Sequence, residues 1–565
     1  MRKYPDVPLN DLLKMIQEEN RIEYWRHSDE AGAALSSIID SARALGPLSL
    51  RETRSLTQWV LTGDISYSRF RAGDRVDLRV AKVGEDSSRL LSEGWTVASV
   101  RYPSPGRIEV IIDGKPFDYD GTKEVFLFQS SSVMLGHALR RRIKDFSESN
   151  HEILGTGQYS LNDSSRNFCE LFEKLNSTQK KSVQYLMENN LSGAVQGPPG
   201  TGKTQLLKAI IALALDSEMR VCLTSFTNAA VDNLLSRAVG GGMEYEWCRV
   251  GNSDRIRKDL YGAKASDIGF LAKGFGDEIE DAQLVAATLH KMAFSASVPK
   301  FDLLIVDEAG QVPMYFWPYI TRLAKRVVLV GDQHQLPPVL ATEHNYLSHD
   351  NIFSFVVNSS TPMLETQYRM RREIQGWSSE KFYRGKLVPD ASNAEYDYFK
   401  DSSALYTDGF VVAKSFNGGV SGSSVSEAEY IAQKVERLSR SGADLSKIGI
   451  ICPYRVQAGL ISSTLQGKIG VDAVSKILVD TVERFQGQER EAIFLSFGGV
   501  GDSQEALRFL SNAKRLNVSV TRAKSRFYCL YDEKLWSNSF NRSSADLNEF
   551  LRWVRFGKTT IRRAA

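Results

Sequence analysis

The sequence predicts an α/β protein in which two parallel, doubly wound sheets follow each other, preceded by helices and a small antiparallel barrel. From residue 169 to about residue 530, short apolar runs alternate with helical segments, and strands that alternate with helices indicate a parallel sheet. Ahead of them, between about residues 67 and 130, apolar and polar residues alternate with a period of two. That period is typical of short antiparallel strands, and several of them in so short a segment favour a small barrel.

These patterns divide the chain into six segments. In chain order, they are a helical stalk segment (1–65), a small β-barrel (66–130), a stalk helix with a linker (131–165), a first parallel-sheet domain (166–345), a second one (346–540) and a basic C-terminal tail (541–565). Residues 388–425 are rich in Asp, Ser, Asn and Gly, which predicts a loop or flexible insertion. The stalk helix carries a basic cluster (Arg140, Arg141, Arg142 and Lys144), which is either a solvated helix face or a phosphate contact.

Composition limits the cellular setting more than the partners. No apolar run approaches the roughly 20 residues that span a membrane, and the N-terminal segment has no apolar signal region. The five cysteines form no CxxC pair, which argues against zinc sites and disulfides and favours a reducing compartment. We therefore expect an intracellular protein, cytoplasmic or, in a eukaryote, nuclear, with no membrane partner. The net charge of +3 identifies no partner by itself.

The stretch 193–204, GAVQGPPGTGKT, combines a buried strand, a glycine-rich loop and the start of a helix. This is the pattern of a P-loop, since a Gly/Pro surface turn does not need both flanking elements. Glycines let backbone N–H groups converge on phosphate oxygens, and the helix N-terminus adds its positive dipole end. The predicted nucleotide-binding residues here are Gly197, Pro198, Pro199, Gly200, Thr201, Gly202, Lys203 and Thr204. Lys203 can reach the β- and γ-phosphates and Thr204 can ligate Mg²⁺, so the cofactors expected are ATP and Mg²⁺.

Two further apolar strands end in polar residues where ligands sit in doubly wound sheets. FDLLIVDEAG places Asp307 and Glu308 after one strand, and RVVLVGDQHQLPP places Gln335 shortly after the other. Asp307 suits the metal and Glu308 suits the base that orients or deprotonates water. Gln335 suits a γ-phosphate sensor. The alternatives are a helix cap for the acidic pair and an ordinary loop amide for Gln335.

Ten short motifs occur in a fixed order between about residues 175 and 530. They are LNSTQ, GPPGTGKT, TSFTNAAVDNL, VAATL, VDEAGQ, GDQHQLPP, ETQYRM, CPYRVQ, DTVERFQGQE and LNVSVTRAK. In these motifs the chain resembles the superfamily 1 helicases, specifically the Upf/senataxin/mu-binding-protein branch, and the N-terminal helices and barrel resemble that branch in pattern only. The resemblance implies two tandem RecA-like domains that couple ATP hydrolysis to cleft closure and to movement along single-stranded DNA or RNA, in the 5′ to 3′ direction.

The resemblance also implies roles for five residues around ATP. Gln179 would read the adenine edge through its amide, and Tyr368 would stack on the base. Glu489 would bind the ribose. Arg369 and Arg522 would be arginine fingers, since a guanidinium is always charged and forks onto phosphate oxygens. An isolated arginine or tyrosine would instead be a surface ion-pair partner or a core aromatic.

The same resemblance implies that residues of both domains contact the nucleic acid. The residues implied are Thr224, Asn228, Asn233, Thr288, Pro453, Tyr454, Thr481 and Arg484. Small polar side chains suit sequence-independent contacts with phosphate and sugar, although such residues also cap helices and order loops. The chain departs from the family pattern at Glu483, Gly310, Phe226 and Thr227. None of these departures removes a catalytic group, so we expect an active enzyme.

The function predicted is therefore that of a monomeric, ATP-dependent translocase that unwinds tailed duplexes of DNA or RNA. Two alternatives stay open. The first is an ATP-switched nucleic-acid clamp or ribonucleoprotein remodeller that does not unwind processively, and the second is a P-loop protein that remodels other proteins.

Overall fold

A computed structural model describes most of the two sheet domains and parts of the N-terminal region. The residues described are 9–32, 35, 39, 44–55, 57–63, 75–81, 96–104, 107–112, 124–129, 139, 166–239, 245–251, 256, 257, 260, 269–272, 274, 275, 279, 282–295, 297–340, 349–400, 408–419, 422–499, 510–535, 537 and 545–557. The predicted stalk helix at 131–165 and its basic cluster lie outside them, apart from Leu139. Among the helices that the structure describes, none combines the length and apolar character needed to cross a membrane.

Six antiparallel strands form a closed barrel in the order β1-β2-β5-β4-β3-β6. Their bounds are β1 Ala44–Ser55, β2 Gln58–Thr62, β3 Arg75–Ala81, β4 Thr96–Ser104, β5 Arg107–Ile112 and β6 Glu124–Gln129. Alternate residues fill its interior, among them Leu61, Val76 and Val110, which are fully buried. The barrel thus begins at Ala44, and the prediction of a helical segment through residue 65 is wrong for β1 and β2. Strand pairing decides this region, because β1 closes the barrel by pairing with both β2 and β6, and sequence periodicity does not report such distant partners.

The N-terminal helix α1 (Leu9–Gly32) packs on the first sheet domain. Leu12 and Ile16, one helical turn apart, are buried in one cluster with Phe316 of that domain and with Leu139. The apolar spacing of the segment predicted this helix.

The first domain is built on a seven-stranded parallel sheet in the order β10-β9-β11-β8-β12-β13-β7. Its strands are β7 Gly193–Gln196, β8 Val221–Ser225, β9 Trp247–Val250, β10 Gly269–Ala272, β11 Leu284–Thr288, β12 Phe301–Val306 and β13 Ala324–Gly331. Its helices are α2 Arg166–Glu173, α3 Ser177–Glu188, α4 Lys203–Asp216, α5 Asn228–Val239, α6 Leu289–Phe294, α7 Trp317–Leu323 and α8 Ile352–Val356. Apolar side chains cover both faces of the sheet in two clusters, as expected of a doubly wound domain.

The second domain carries a five-stranded parallel sheet in the order β16-β20-β19-β17-β18, besides the short pair β14 and β15. Its strands are β14 Thr366–Gln367, β15 Val388–Pro389, β16 Val411–Phe416, β17 Ile448–Cys452, β18 Leu478–Thr481, β19 Arg490–Ser496 and β20 Ala523–Asp532. Its helices are α9 Arg372–Tyr383, α10 Ala391–Ala394, α11 Val425–Arg440, α12 Arg455–Ile469, α13 Val471–Val474, α14 Ala513–Val520 and α15 Ala545–Phe556. The two parallel sheets that the alternating pattern predicted are confirmed.

Two predictions about this domain are wrong. The supposed loop at 388–425 contains β16, which pairs along its whole length with β20. Its side chains are half-buried or exposed because it is an edge strand, and that leaves little apolar signal. The supposed basic tail at 541–565 contains α15, whose Phe550 and Trp553 pack against Trp377. Apolar residues at helical spacing bury this helix in the core of the second domain.

Candidate nucleotide site and nucleic-acid interface

The glycine-rich loop between β7 and α4 has a backbone that only glycine adopts without strain. Gly200 and Gly202 have φ angles of +77° and +73°, in the left-handed region. A Cβ on Gly197 would lie 2.4 Å from Cγ of Lys203. The loop therefore forms the close-fitting cradle that a phosphate group needs at a helix N-terminus.

Lys203, the first residue of α4, extends across this loop. Its Nζ donates to the carbonyl oxygen of Gly197 at 3.0 Å and lies 3.8 Å from Oε1 of Glu308. The neighbouring Thr204 hydroxyl accepts a long hydrogen bond of 3.5 Å from Arg237. The ammonium group is thus held where the phosphate loop and the acidic strand end meet.

Asp307 and Glu308 follow β12 directly, as predicted. The Asp307 backbone N–H donates to the Thr224 carbonyl, and its Oδ1 accepts from the Glu308 N–H at 2.9 Å. Burial, with the adjacent Glu308 charge, raises the pKa of Asp307 to about 6, although Lys203 opposes the shift. Glu308 has a φ of +51°, an uncommon conformation for a residue with a side chain and one that is frequent at functional sites.

These residues fit a bound Mg²⁺. The Thr204 hydroxyl and the Asp307 carboxylate are hard oxygen ligands of the kind that Mg²⁺ prefers. A divalent cation beside Asp307 would also relieve the repulsion between the two adjacent carboxylates, which adds to burial in raising the pKa of Asp307.

Gln335 lies beyond the end of β13 and is buried. Its Nε2 donates to Oδ2 of Asp332 at 3.2 Å, and the same oxygen accepts a 2.6 Å hydrogen bond from the hydroxyl of Tyr383. Tyr383 ends α9 of the second domain. The predicted γ-phosphate sensor is therefore linked through one carboxylate to the opposite domain.

The second domain reaches the phosphate loop through the segment after β14. The Tyr368 backbone N–H donates to the Gly200 carbonyl at 2.8 Å. A Cβ on Gly200 would lie 2.6 Å from Cβ of Arg369. The Arg369 guanidinium donates to Oε2 of Glu489 at 2.6 Å and to the Thr521 carbonyl at 3.0 Å. Arg369 is thus brought directly onto the loop.

Arg522 is almost completely buried beside it. Its Nε donates to the Val518 carbonyl at 3.0 Å and a terminal nitrogen donates to the Thr521 hydroxyl at 3.1 Å. Burial, reinforced by the charge of Arg369, lowers the pKa of Arg522 to about 9. Burial would raise the pKa of Glu489, but Arg369 and Lys524 outweigh it and lower the value to about 2. A bound phosphate would relieve the repulsion between the two arginines.

Gln179 and Tyr368 lie at the predicted adenine end of the site. Oε1 of Gln179 accepts from the Asn176 N–H in a capping box at the start of α3, and Nε2 donates to the Thr201 carbonyl at 3.1 Å. The Tyr368 hydroxyl accepts from the Asn176 amide at 2.8 Å, while 41% of the residue stays exposed. Gln179 therefore braces the loop in this structure, and the Tyr368 ring is available for stacking.

The four predicted nucleic-acid residues of the first domain lie at or beyond the ends of β8 and β11. The Thr224 hydroxyl is buried and has no hydrogen-bonding partner among the described residues. Thr288 caps α6 by accepting from the Lys291 N–H. In the sheet, β12, β13 and β7 lie on one side of β8, and β11 lies on the other. The predicted nucleotide residues and the predicted nucleic-acid residues therefore fall on different parts of the carboxyl edge.

Asn228 is joined to a buried ion pair, and Asn233 to an exposed arginine. Asn228 accepts from Arg249 at 2.8 Å, and the same guanidinium donates to Asp232 at 2.8 Å. Asn233 accepts from Arg257 at 2.6 Å. The amide oxygens of both asparagines are thus occupied by arginines.

The four predicted residues of the second domain lie at the carboxyl ends of β17 and β18. Pro453 and Tyr454 follow β17, Thr481 ends β18 and Arg484 is exposed just beyond it. One departure from the family pattern has a partner here, because the Glu483 carboxylate accepts from Arg515 at 3.0 Å.

Two family models match the chain, and both are described as an AAA domain. They cover residues 174–387 and 346–534, which together include the phosphate loop and both arginines. These matches, one on each sheet domain, agree with the resemblance to superfamily 1 of the helicases.

The chain spans only part of the length of the relatives that it matches. The chain is 28% identical over 438 residues to the mouse DNA replication ATP-dependent helicase/nuclease DNA2, and this alignment covers 69% of the chain and 40% of the relative. It is 26% identical over 459 residues to the Schizosaccharomyces pombe DNA polymerase alpha-associated DNA helicase A, covering 68% of the chain and 66% of the relative. Among solved structures, the arterivirus nonstructural protein 10 helicase with DNA covers 85% of the chain and is itself covered to 80%, with a TM-score of 0.40 and 14% identity.

Several side chains of the site were missed by the sequence prediction. Asn176 and Gln367 lie inside quoted motifs, and the N-x-x-Q spacing of Asn176 with Gln179 is a capping-box signal that could have been recognised. Gln367 accepts from the N–H of Arg369 and so orders that loop. Asn517 also lies inside a named motif, LNVSVTRAK, whereas Tyr383 lies in none. The contacts of both residues could not be predicted from local sequence, because their partners lie in the other domain.

Proposed function

We propose that this helicase hydrolyses Mg²⁺-ATP between its two sheet domains and uses the cycle to move along single-stranded nucleic acid. One observation carries the proposal: Arg369 of the second domain packs on Gly200 of the first domain's phosphate loop. With the guanidinium turned toward the loop, Arg369 would add positive charge from the second domain to that of Lys203 from the first. ATP would hold the cleft closed, and loss of the γ-phosphate would let it open.

The residues around the loop divide the chemistry among them. Lys203 neutralises the β- and γ-phosphate oxygens from the first domain, and Arg369 and Arg522 stabilise the charge that develops in the transition state from the second. Glu308 orients the attacking water and takes its proton, while Gln335 senses the γ-phosphate. When bound by Thr204 and Asp307, Mg²⁺ supplies charge neutralisation at the phosphates.

The base and ribose would lie on the side of the loop formed by α3 and the Tyr368 segment. The exposed ring of Tyr368 is suited to stacking on adenine. Gln179 would read the adenine edge only after exchanging a hydrogen bond, since both ends of its amide contact backbone. Glu489 stays ionised because Arg369 and Lys524 lower its pKa, and it could accept from a ribose hydroxyl.

The nucleic acid would cross the remaining half of the carboxyl edges. We assign contacts with its phosphates and sugars to eight residues, namely Thr224, Asn228, Asn233, Thr288, Pro453, Tyr454, Thr481 and Arg484. The unpartnered hydroxyl of Thr224 supports this assignment most directly. The 5′ to 3′ direction rests on the family resemblance alone. Because the two similar proteins are named as DNA helicases, DNA is the first polymer to test, and RNA the second. A monomer and an intracellular location stay predictions from the sequence.

A strand-displacement assay tests the proposal. Duplexes with a 5′ or a 3′ single-stranded tail, in DNA and in RNA, are incubated with the helicase, Mg²⁺ and ATP, and with Glu308→Gln as the inactive control. We expect displacement of the 5′-tailed duplex by the unsubstituted chain only. Stimulated ATP hydrolysis without displacement of any duplex would contradict the translocase and favour the ATP-switched clamp.

A further inference from the structure

A buried polar contact joins the two domains behind the phosphate site. The Tyr383 hydroxyl donates to Oδ2 of Asp332 at 2.6 Å. The Asn517 amide donates to the His334 carbonyl at 2.9 Å and lies 3.3 Å from the Tyr383 hydroxyl. Tyr383 and Asn517 belong to α9 and α14 of the second domain, whereas Asp332 and His334 follow β13 of the first. Each of the two hydrogen bonds therefore crosses the cleft.

The surroundings make these contacts costly to lose. Tyr383, Asn517 and Asp332 are all buried. Burial, together with the Asp332 charge, raises the pKa of Tyr383 well above its ordinary value, so the hydroxyl stays a donor at neutral pH. A buried carboxylate or carbonyl that loses such a donor without access to water is strongly destabilised. The contacts thus favour one arrangement of the two domains.

The same groups hold the predicted γ-phosphate sensor. Gln335 donates to the Asp332 oxygen that also accepts from Tyr383. The His334 N–H donates to the other oxygen of that carboxylate. A movement of Tyr383 would therefore change the hydrogen bonding of Asp332, and with it the position of Gln335.

In the second domain, Asn517 lies one helical turn before Thr521, which contacts both arginines. The Thr521 N–H donates to the Asn517 carbonyl. Thr521 in turn accepts from Arg369 through its carbonyl and from Arg522 through its hydroxyl. A short path of direct contacts thus runs from Gln335 through the cleft to both arginines.

We propose that Tyr383 and Asn517 form a latch across the cleft through their hydrogen bonds to Asp332 and to the His334 carbonyl. This latch positions Gln335 relative to the two arginines. The latch closes when the domains close on nucleotide and breaks when they open. Tyr383 and Asn517 are positioning residues, since they act through Gln335, Arg369 and Arg522. This inference rests on the proposed function, but its contacts can be tested without catalysis.

The kinetic test uses Tyr383→Phe, which removes one hydroxyl and keeps the ring. We expect kcat for nucleic-acid-stimulated ATP hydrolysis to fall about tenfold while KM for ATP changes by less than about twofold. The matched control is Tyr528→Phe, because the Tyr528 hydroxyl is also a buried donor to a carboxylate, Asp408, at 2.8 Å, but within the second domain. An equal loss of kcat in both variants, or no loss in Tyr383→Phe, would overturn the latch.

A double variant tests whether the two side chains act together. Asn517→Ala should lower kcat as Tyr383→Phe does, and the combined variant should lose no more than the worse single one, because contacts that act as a unit are not additive. A loss in the double variant equal to the product of the single losses would show two independent residues and contradict the proposal.

Hydrogen exchange measures the contacts directly, without catalysis, in the chain held closed by Mg²⁺ and a non-hydrolysable ATP analogue. Tyr383→Phe should speed exchange in residues 332–336 and 513–520 together, since each segment loses its partner across the cleft. Tyr528→Phe should speed neither. Unchanged exchange in both segments would overturn the latch even if ATP hydrolysis is intact. If the unsubstituted chain hydrolyses no ATP, the proposed function fails and the exchange result alone decides the latch.

Discussion

The two parallel sheets share one strand order over five strands, yet among the described residues only the first sheet is followed by a phosphate loop. Read from one edge, β7-β13-β12-β8-β11 of the first sheet corresponds to β16-β20-β19-β17-β18 of the second. In both series the first strand leads to a long helix, α4 in one domain and α11 in the other. The first sheet adds β9 and β10 beyond this common unit. The second domain thus matches the first in topology.

The difference lies at the end of that first strand. In the first sheet, Lys203 begins α4 beside a loop whose glycines adopt left-handed backbone angles. In the second, Glu427 lies in the first turn of α11 and is fully buried, where its carboxyl group accepts from the Ser496 hydroxyl at 2.6 Å and from the Gly498 N–H at 3.1 Å. An internal carboxyl group therefore takes up backbone and hydroxyl donors at the corresponding position of the second sheet. Topology alone therefore does not make a nucleotide site; the loop residues do.

The largest effect should follow from Lys203→Ala. Removing the only loop side chain placed to neutralise phosphate should lower ATP turnover to background, a loss of about 1,000-fold or more. Lys325→Ala is the matched control. Lys325 lies near the start of β13, at the opposite ends of the strands from the phosphate loop, and pairs with Asp302. Both variants should show unfolding curves like that of the unsubstituted chain. Undiminished turnover in Lys203→Ala would contradict the assignment of the loop.

A similar loss of turnover should accompany Glu308→Gln, but with ATP binding retained. The amide keeps the shape of the side chain and cannot take a proton from water, so hydrolysis should slow by about a hundredfold or more. A nucleotide-binding titration beside a phosphate-release assay separates the two quantities. Loss of binding together with turnover would show that Glu308 holds the nucleotide instead of activating water.

Arg369→Ala should lower the rate of ATP turnover about a hundredfold and change ATP affinity much less. The reason is that the guanidinium acts mainly on charge that develops in the transition state. Arg522→Ala should behave in the same way. Arg369→Lys should recover little, since an ammonium does not fork onto two oxygens. Arg440→Ala serves as the control at the exposed end of α11. Equal losses of affinity and turnover would contradict the finger role.

The smallest effect on turnover, and a distinct effect on stability, should come from Glu427→Gln. Burial, with Asp532 adding to it, raises the pKa of Glu427 from its ordinary value of 4.5 to about 8. Between those two pH values the folded chain binds a proton that the unfolded chain releases, so its stability falls as pH rises. Glu427→Gln should remove this fall and raise the midpoint of thermal unfolding at pH 8 by about 5 °C.

The control for that pH experiment is Glu436→Gln, on the same helix and paired with Arg440 near the surface. It should leave the pH dependence of unfolding unchanged. The same pH dependence in Glu427→Gln and in the unsubstituted chain would mean that Glu427 is ionised in the folded state. ATP turnover that falls in Glu427→Gln as it does in Glu308→Gln would remove the contrast between the two sheets.

The sequence correctly predicts those parts of the molecule that are determined by neighbouring residues in the chain. The phosphate loop, Asp307 and Glu308 each follow a buried strand directly, and neighbouring residues fix such features. The start of the barrel at Ala44 and the edge strand β16 depend on distant strand partners. Tyr383 became part of the site only through folding, because its partner Asp332 lies 51 positions earlier and in the other domain.

The most direct test of the central claim measures ATP turnover in Mg²⁺, with and without saturating single-stranded DNA or RNA, at low and moderate salt. If the two domains that form the ATP site also bind single-stranded nucleic acid, the rate of ATP hydrolysis should change when that nucleic acid binds. We predict strong stimulation by at least one polymer, lost in both Lys203→Ala and Arg369→Ala. Turnover that neither polymer changes would contradict a nucleic-acid-driven motor, and a partner-activated switch would then be the better account.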